Sequence, residues 1–205
     1  MKKTYLITFI LLINTLLFAQ NNTAESILNR LETEYKKCKN MQINFDFIYK
    51  NQTHETTKQG DIYIESNGFI LDIDNQIITN NGKYQWIYLK ESNELQIMLN
   101  EMEDNIINPK NIFQLNKDQY KYKYEGTEEN GEINVIHLFP KKSTIFSRLE
   151  LRTHQKTNNI HNITILDKNG GIYIYVIKST QTNIKSQPIE FDTSKYENIE
   201  IIDLR

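Results

Sequence analysis

The stretch from Gly60 to Leu89, GDIYIESNGFILDIDNQIITNNGKYQWIYL, restricts the fold more than any other part of the chain. Apolar and polar side chains alternate through it, as they must when successive residues point to opposite faces of a sheet. Phe69, Leu71 and Ile73 share one face against Asp72 and Asp74, and Tyr84, Trp86 and Tyr88 fall together. Turn sequences recur at short intervals, Asn80-Asn81-Gly82 being the clearest. Strands this short and this closely spaced predict an antiparallel meander. The pattern extends both ways. Upstream, Met41, Ile43, Phe45, Phe47 and Tyr49 share a face; downstream, Tyr120, Tyr122 and Tyr124 alternate with Lys121 and Lys123. INVIHLF, SRLELRTH, NIHNITILD and IYIYVIKST read as further strands, with a turn at Lys168-Asn169-Gly170-Gly171.

Helix-forming sequence is scarce beside so much sheet. NTAESILNRLETEYKKCKNM predicts one amphipathic helix, with Thr23 as cap, Glu25 in the first turn and an apolar stripe of Ile27, Leu28, Leu31 and Tyr35. Lys36, Lys37 and Lys39 gather at its C-terminal end, where cations suit the macrodipole. A shorter helical piece is expected after Pro109, at Ile112-Phe113-Leu115. Some ten strands with an apolar face need a second layer, and these two helices are too small to supply it. The fold class is therefore mainly β (α+β): an incomplete antiparallel barrel with a short helical lid. Periodicity leaves open whether the lid covers an apolar cavity or a filled core.

The chain begins Met1-Lys2-Lys3, followed by the apolar run YLITFILLINTLLFA ending at Ala19. That is the pattern of a secretory signal peptide over 1–19, short for a membrane span and interrupted by Asn14. Residues 20–205 then form a single exported domain. Cys38 is the only cysteine, so no internal disulfide can staple the fold. The formal net charge is −2 and no basic block occurs. The Lys–Tyr alternation of QYKYKYEG suits a half-buried strand better than a base-stacking platform, and no nucleic-acid partner is expected.

Catalytic patterns are missing. His54, His137, His154 and His161 have no metal-ligand spacing, and no metal or cofactor is expected. Neither a nucleophile elbow nor a glycine-rich phosphate loop occurs. Asp72 and Asp74 share a strand face, which a plain polar surface explains. The acidic EMEDNIINPK reads as a solvated loop. The chain is not expected to be an enzyme.

Taken in order, the segments ILNRL, INFDFIY, QGDIYIESNGFILDIDNQIITNNGKYQWIYL, NPKNIFQL, YKYKYEG, VIHLFPKK, FSRLELRTH, ITILDKNGGIYIYVI and FDTSKYENIEIIDLR resemble the LolA-type periplasmic carriers of outer-membrane lipoproteins. The style is similar to the Bacteroidetes members. The Asn81-Gly82-Lys83 turn leading to Trp86 and the terminal Ile202-Asp203-Leu204-Arg205 are the most specific parts. The resemblance implies a half-barrel whose apolar cavity takes lipoprotein acyl chains and moves them from the inner to the outer membrane. It implies as partners acylated lipoproteins and an inner-membrane lipoprotein-releasing ABC transporter, and names no outer-membrane acceptor. A periplasmic monomer is expected.

On that reading Phe45, Phe47, Ile64, Phe69, Leu71 and Trp86 line the cavity. Ile27, Leu31, Ile112, Phe113 and Leu115 belong to the lid. Family members often carry a lid-bonding Arg in the strand after GD, and the matching position here is Ile70. Alternation groups residues by face without saying which face is inward. The other readings are a carrier or sensor of free lipid or glycolipid on the same fold, a secreted hydrolase, and a packed envelope domain without ligand.

Overall fold

The computed structural model describes residues 23–100, 113 and 116–205; the expected signal peptide at 1–19 lies outside them, as do Ile112 and Leu115. A helix, α1, runs over 23–37. Its Ala24, Ile27, Leu28 and Leu31 are buried while Glu25, Asn29, Arg30 and Thr33 are exposed, which is the stripe the spacing predicts.

The strands are β1 (Asn40–Lys50), β2 (Glu55–Glu65), β3 (Gly68–Ile73), β4 (Gln76–Asn80), β5 (Tyr84–Leu89), β6 (Glu94–Leu99), β7 (Tyr120–Glu128), β8 (Ile133–Pro140), β9 (Phe146–His154), β10 (Ile160–Asp167), β11 (Ile172–Thr182) and β12 (Glu200–Asp203). They form one open sheet in the order β12-β6-β5-β4-β3-β2-β1-β11-β10-β9-β8-β7. Two meanders, β1–β6 and β7–β11, meet at the β1–β11 seam. Every pair is antiparallel except β12, which lies parallel to β6. The half-barrel expectation is met, with twelve strands among the described residues where about ten were expected.

Register decides which face is which. Phe45 opposes Ile177 and Gly60, and Phe47 opposes Tyr175. Leu71 opposes Ile62 and Ile78. Ile163 lies between Tyr175 and Leu151, and Leu151 opposes Ile136, which opposes Tyr124. These residues share the face that α1 covers, here called concave. Irregularities sit where one strand carries an extra residue: Lys178 in β11, Glu125 in β7, His161 in β10 and Ser147 in β9.

Two glycines are required by their neighbours. A Cβ at Gly68 would lie 1.9 Å from the Asn80 carbonyl oxygen. A Cβ at Gly60 would lie 2.5 Å from the Phe45 ring, which lies across that gap.

The convex face has its own cover. Trp86, Tyr88 and Leu95 pack there with Phe191, and Tyr196 and Ile199 close round them. Tyr88 is 4.4 Å from Tyr196 and 5.3 Å from Phe191, ring centre to ring centre. The segment after β11 brings these residues across. It is held on the way by Asn40, which donates to the Ile184 carbonyl at 3.1 Å, and by the Gln187 amide, which donates to the Tyr63 hydroxyl at 3.4 Å.

Candidate functional site

The concave face divides into a closed half and a half-open margin. In the closed half, α1 lies across the end of the sheet where β1 begins. The Asn158 amide at the β9–β10 turn donates to the Ile27 carbonyl at 3.3 Å, and at the other end of α1 the Cys38 amide donates to the Tyr35 carbonyl at 3.1 Å as the chain turns into β1. Beneath the helix Ile27, Leu28 and Leu31 join Met41, Ile43, Ile62, Ile64, Phe69, Ile136, Leu149, Leu151 and Ile163 in one buried cluster. Phe113, itself helical, reaches the middle of the sheet. Its ring centre is 5.6 Å from Phe45 and 5.8 Å from Tyr175, and Phe45 is 5.5 Å from Tyr175. Burial pushes the Tyr175 phenol well up, with Tyr173 adding to it. At the other end of the face, where β7 begins, burial likewise pushes Tyr120 up to about 12. Both hydroxyls stay neutral at physiological pH.

The margin is different. At the end where β1 finishes, Phe47, Tyr49, Ile73 and Tyr173 are only half-buried. Phe47 stands 5.1 Å from Tyr175, and Tyr49 is 5.1 Å from Tyr173. The margin continues over β4, β5 and β6 through Ile78, Ile87, Leu89 and Met98, all half-buried. Register places each on the concave side: Ile78 opposes Leu71 and Ile87, Leu89 opposes Gln76, and Met98 opposes Gln85. A band of flexible apolar side chains, neither sealed nor open, can exchange its own contacts for those of an alkyl chain at little net cost.

Concavities of another kind lie elsewhere among the described residues. A polar groove of about 540 Å³ on the convex side is lined by Asn44, Asp46, Gln59, Asp61, Asp72 and Lys178, with Phe45 and Gly60 at its floor. Its carboxylates are engaged. Asp61 accepts from Gln42 at 3.0 Å and from Asn44, Asp46 pairs with Lys178 at 2.6 Å, and Asp72 pairs with Lys90. Asp72 and Asp74 therefore sit in surface ion pairs, Asp74 with Lys58. His137 lies against Glu125 at 3.0 Å and Glu150 at 3.7 Å. The described residues contain no group of His, Cys, Asp and Glu that could hold a metal ion.

Of the residues the sequence nominates, Phe45, Ile64, Phe69, Leu71, Ile27, Leu31 and Phe113 come together in the concave cluster, and Phe47 packs against it. Trp86 does not join them. It opposes Thr79 and Ile97, one step out of phase with Phe69 and Asn80, and so belongs to the convex cluster. Its strand is apolar on both faces, with the larger, aromatic set turned to the convex side. Ile70 also needs correction as a lid-bonding position. It opposes Tyr63 and Thr79 on the convex side, so a long side chain there would point away from α1. Sequence reasoning missed Tyr175 and the band of Ile78, Ile87, Leu89 and Met98. The signal was present, since Ile87 and Leu89 alternate with the aromatic residues of β5, but nothing local ranked the two faces.

A family model described as outer membrane lipoprotein carrier protein LolA matches residues 36–194, which span β1 to β11 and the segment reaching Phe191. The chain belongs to the LolA family. That membership supports a lipoprotein-binding, carrier-type role in general for this LolA-family chain, on a fold that binds and carries. No curated protein matches it by sequence. Among solved structures, an uncharacterized conserved protein from Thermus thermophilus is similar at 13% identity and TM-score 0.55, over 88% of this chain and 99% of that one. A DUF1329 family protein from Desulfovibrio piger matches at 11% identity and TM-score 0.49, over 87% and 99%. A LolA superfamily protein from Nitrosomonas europaea matches at 12% identity and TM-score 0.44, over 80% and 94%. The first of these likenesses bears on fold alone.

Proposed function

We propose that the chain is a periplasmic carrier that shelters lipoprotein acyl chains on its concave face and moves them from the inner to the outer membrane. The observation that carries this reading is the half-buried apolar band of Phe47, Ile73, Ile78, Ile87, Leu89 and Met98 beside a core roofed by α1 and Phe113. An alkyl chain enters along the band and displaces Phe113 and α1 in turn, so that the protein's own side chains fill the space when cargo is absent. The energetic need is plain. Each buried methylene is worth about 0.8 kcal/mol, so one acyl chain of roughly fifteen methylenes left in water costs on the order of 12 kcal/mol. A carrier must offset most of that cost and still release its load, which a roof of modest contact area allows.

The same reading takes 1–19 as a cleaved leader, 20–205 as one exported domain, an inner-membrane ABC transporter as the source of cargo, and no covalent chemistry. The test is purification from the periplasm of the native host, followed by lipid extraction and mass spectrometry. Acylated protein that co-purifies supports the carrier reading. Free lipid alone, or no lipid together with no uptake of a fluorescent long-chain fatty acid, rules it out.

A further inference from the structure

We propose that the connections at one end of β7–β10 form a docking surface for an anionic phospholipid bilayer. This end is the one where β1 finishes and where the half-buried Phe47, Tyr49 and Tyr173 lie. Three connections meet there, at 116–119, 141–145 and 168–171, tied by backbone bonds. The Lys141 amide donates to the Gln119 carbonyl at 2.9 Å, and the Lys168 amide donates to the Ile145 carbonyl at 3.0 Å. The Thr144 hydroxyl donates to the Phe146 carbonyl at 2.9 Å. The middle connection is thus held on both sides, with Ile145 turned outward and 56% exposed. Phe139, at the end of β8, is also exposed and sits across from Lys121 on the convex side.

The charge around these two side chains is unlike the rest of the molecule. The chain carries a formal net charge of −2, yet residues 116–121, 140–145 and 167–171 hold five lysines and two aspartates. Lys121, Lys141, Lys142 and Lys168 are exposed, and among the described residues none of them forms an ion pair; Lys141 Nζ donates to the Asp118 carbonyl at 2.9 Å. Elsewhere Lys123 and Lys178 are paired, and the exposed lysines that form no ion pair among the described residues, such as Lys83, Lys156 and Lys185, stand apart from one another along the chain. Unpaired lysines flanking two outward apolar side chains match a surface of phosphate headgroups over an apolar interior. An acidic protein surface would meet the charge but would leave Ile145 in water. Docked this way, the open margin of the concave face lies at the bilayer, and cargo passes between membrane and carrier without crossing water. That last point rests on the carrier reading; the binding itself does not.

The test uses the protein purified from a bacterial periplasm and sedimentation with vesicles of phosphatidylglycerol and phosphatidylethanolamine. Vesicles of phosphatidylcholine alone serve as the neutral control. Binding is expected to the first and not the second, and to fall as salt rises. Lys141→Gln with Lys142→Gln is expected to lower the vesicle partition coefficient by about 10- to 30-fold. Ile145→Asp is expected to abolish it, with far-UV circular dichroism and long-chain probe uptake unchanged. Equal binding to both vesicle types, no binding to either, or full binding by both variants overturns the proposal. A wild-type protein that binds anionic vesicles but takes up no probe overturns the carrier reading and leaves this one standing.

Discussion

The sheet carries two aromatic clusters on opposite faces, and they are finished differently. Under α1, Phe45, Phe113 and Tyr175 meet across the middle of the concave face, and the packing thins outward to Phe47, Ile73 and Ile78. On the convex face, Tyr88, Phe191 and Tyr196 stack beneath the segment after β11. The convex cluster is small and bound by the chain's own irregular strap. The concave one is large and has a soft edge. Burial of aromatic residues alone does not mark a binding site; the margin does.

The largest effect that would sharpen this contrast is expected at Gly68. Gly68→Ala drives a methyl into the backbone of Asn80, which cannot swing aside, and is expected to cost at least about 3 kcal/mol or prevent folding, read from urea denaturation. Gly60→Ala meets the Phe45 side chain and no backbone, so the ring can shift where Asn80 cannot, and the cost should stay at about 1–3 kcal/mol. Next come the clusters themselves. Phe45→Ala and Phe191→Ala each remove a buried ring and should each cost on the order of 3 kcal/mol. Only Phe45→Ala should change uptake of a long-chain probe; a loss of uptake in Phe191→Ala would break the distinction between the faces. Ile87→Asp, in the band, should lower probe affinity by roughly tenfold or more while shifting the urea midpoint little, because the site is only half-buried.

Smaller effects follow from protonation. Tyr120 on the concave side is held up to about 12 by burial, above the value near 10 of an exposed tyrosine. Its contribution is fully present below pH 10 and is lost as pH rises toward 12, so the urea midpoint should fall over that window and fall less in Tyr120→Phe. At the exposed edge, Asp203 is brought down to about 2 by Arg205. That contribution is present above the ordinary carboxylate range and fades as pH falls toward 2. Asp203→Asn should remove this acid-side slope, which is expected to be the smallest of these effects.

Much of this was legible in the sequence. The stripe of Ile27, Leu28 and Leu31 has helical spacing and is buried as a unit, and Tyr120, Tyr122 and Tyr124 share the concave face as their alternation requires. Alternation failed where both faces of a strand are apolar. In β5 the choice between Trp86 and Ile87 depends on the register with β4 and β6, a long-range property that no window of residues contains. The strap was invisible for a related reason. Phe191, Tyr196 and Ile199 sit in irregular backbone with no period, and their burial comes wholly from the strands they cross. Gly60 and Gly68 read as turn or strand residues until the neighbour occupying each missing side chain is known.

The seam between β1 and β11 sets an order of events during folding. Each meander pairs strands that are neighbours along the chain and can zip locally, whereas Lys50 must find Ile172 and Met41 must find Thr182 across the whole length between them. Pairings of that kind are slow, because chain entropy is surrendered before contacts repay it. Until the seam closes, two half-sheets present their oily sides to water as sticky, separate rafts. The last pairing to form in a chain of this design is therefore expected to be the one that joins its two oily half-sheets.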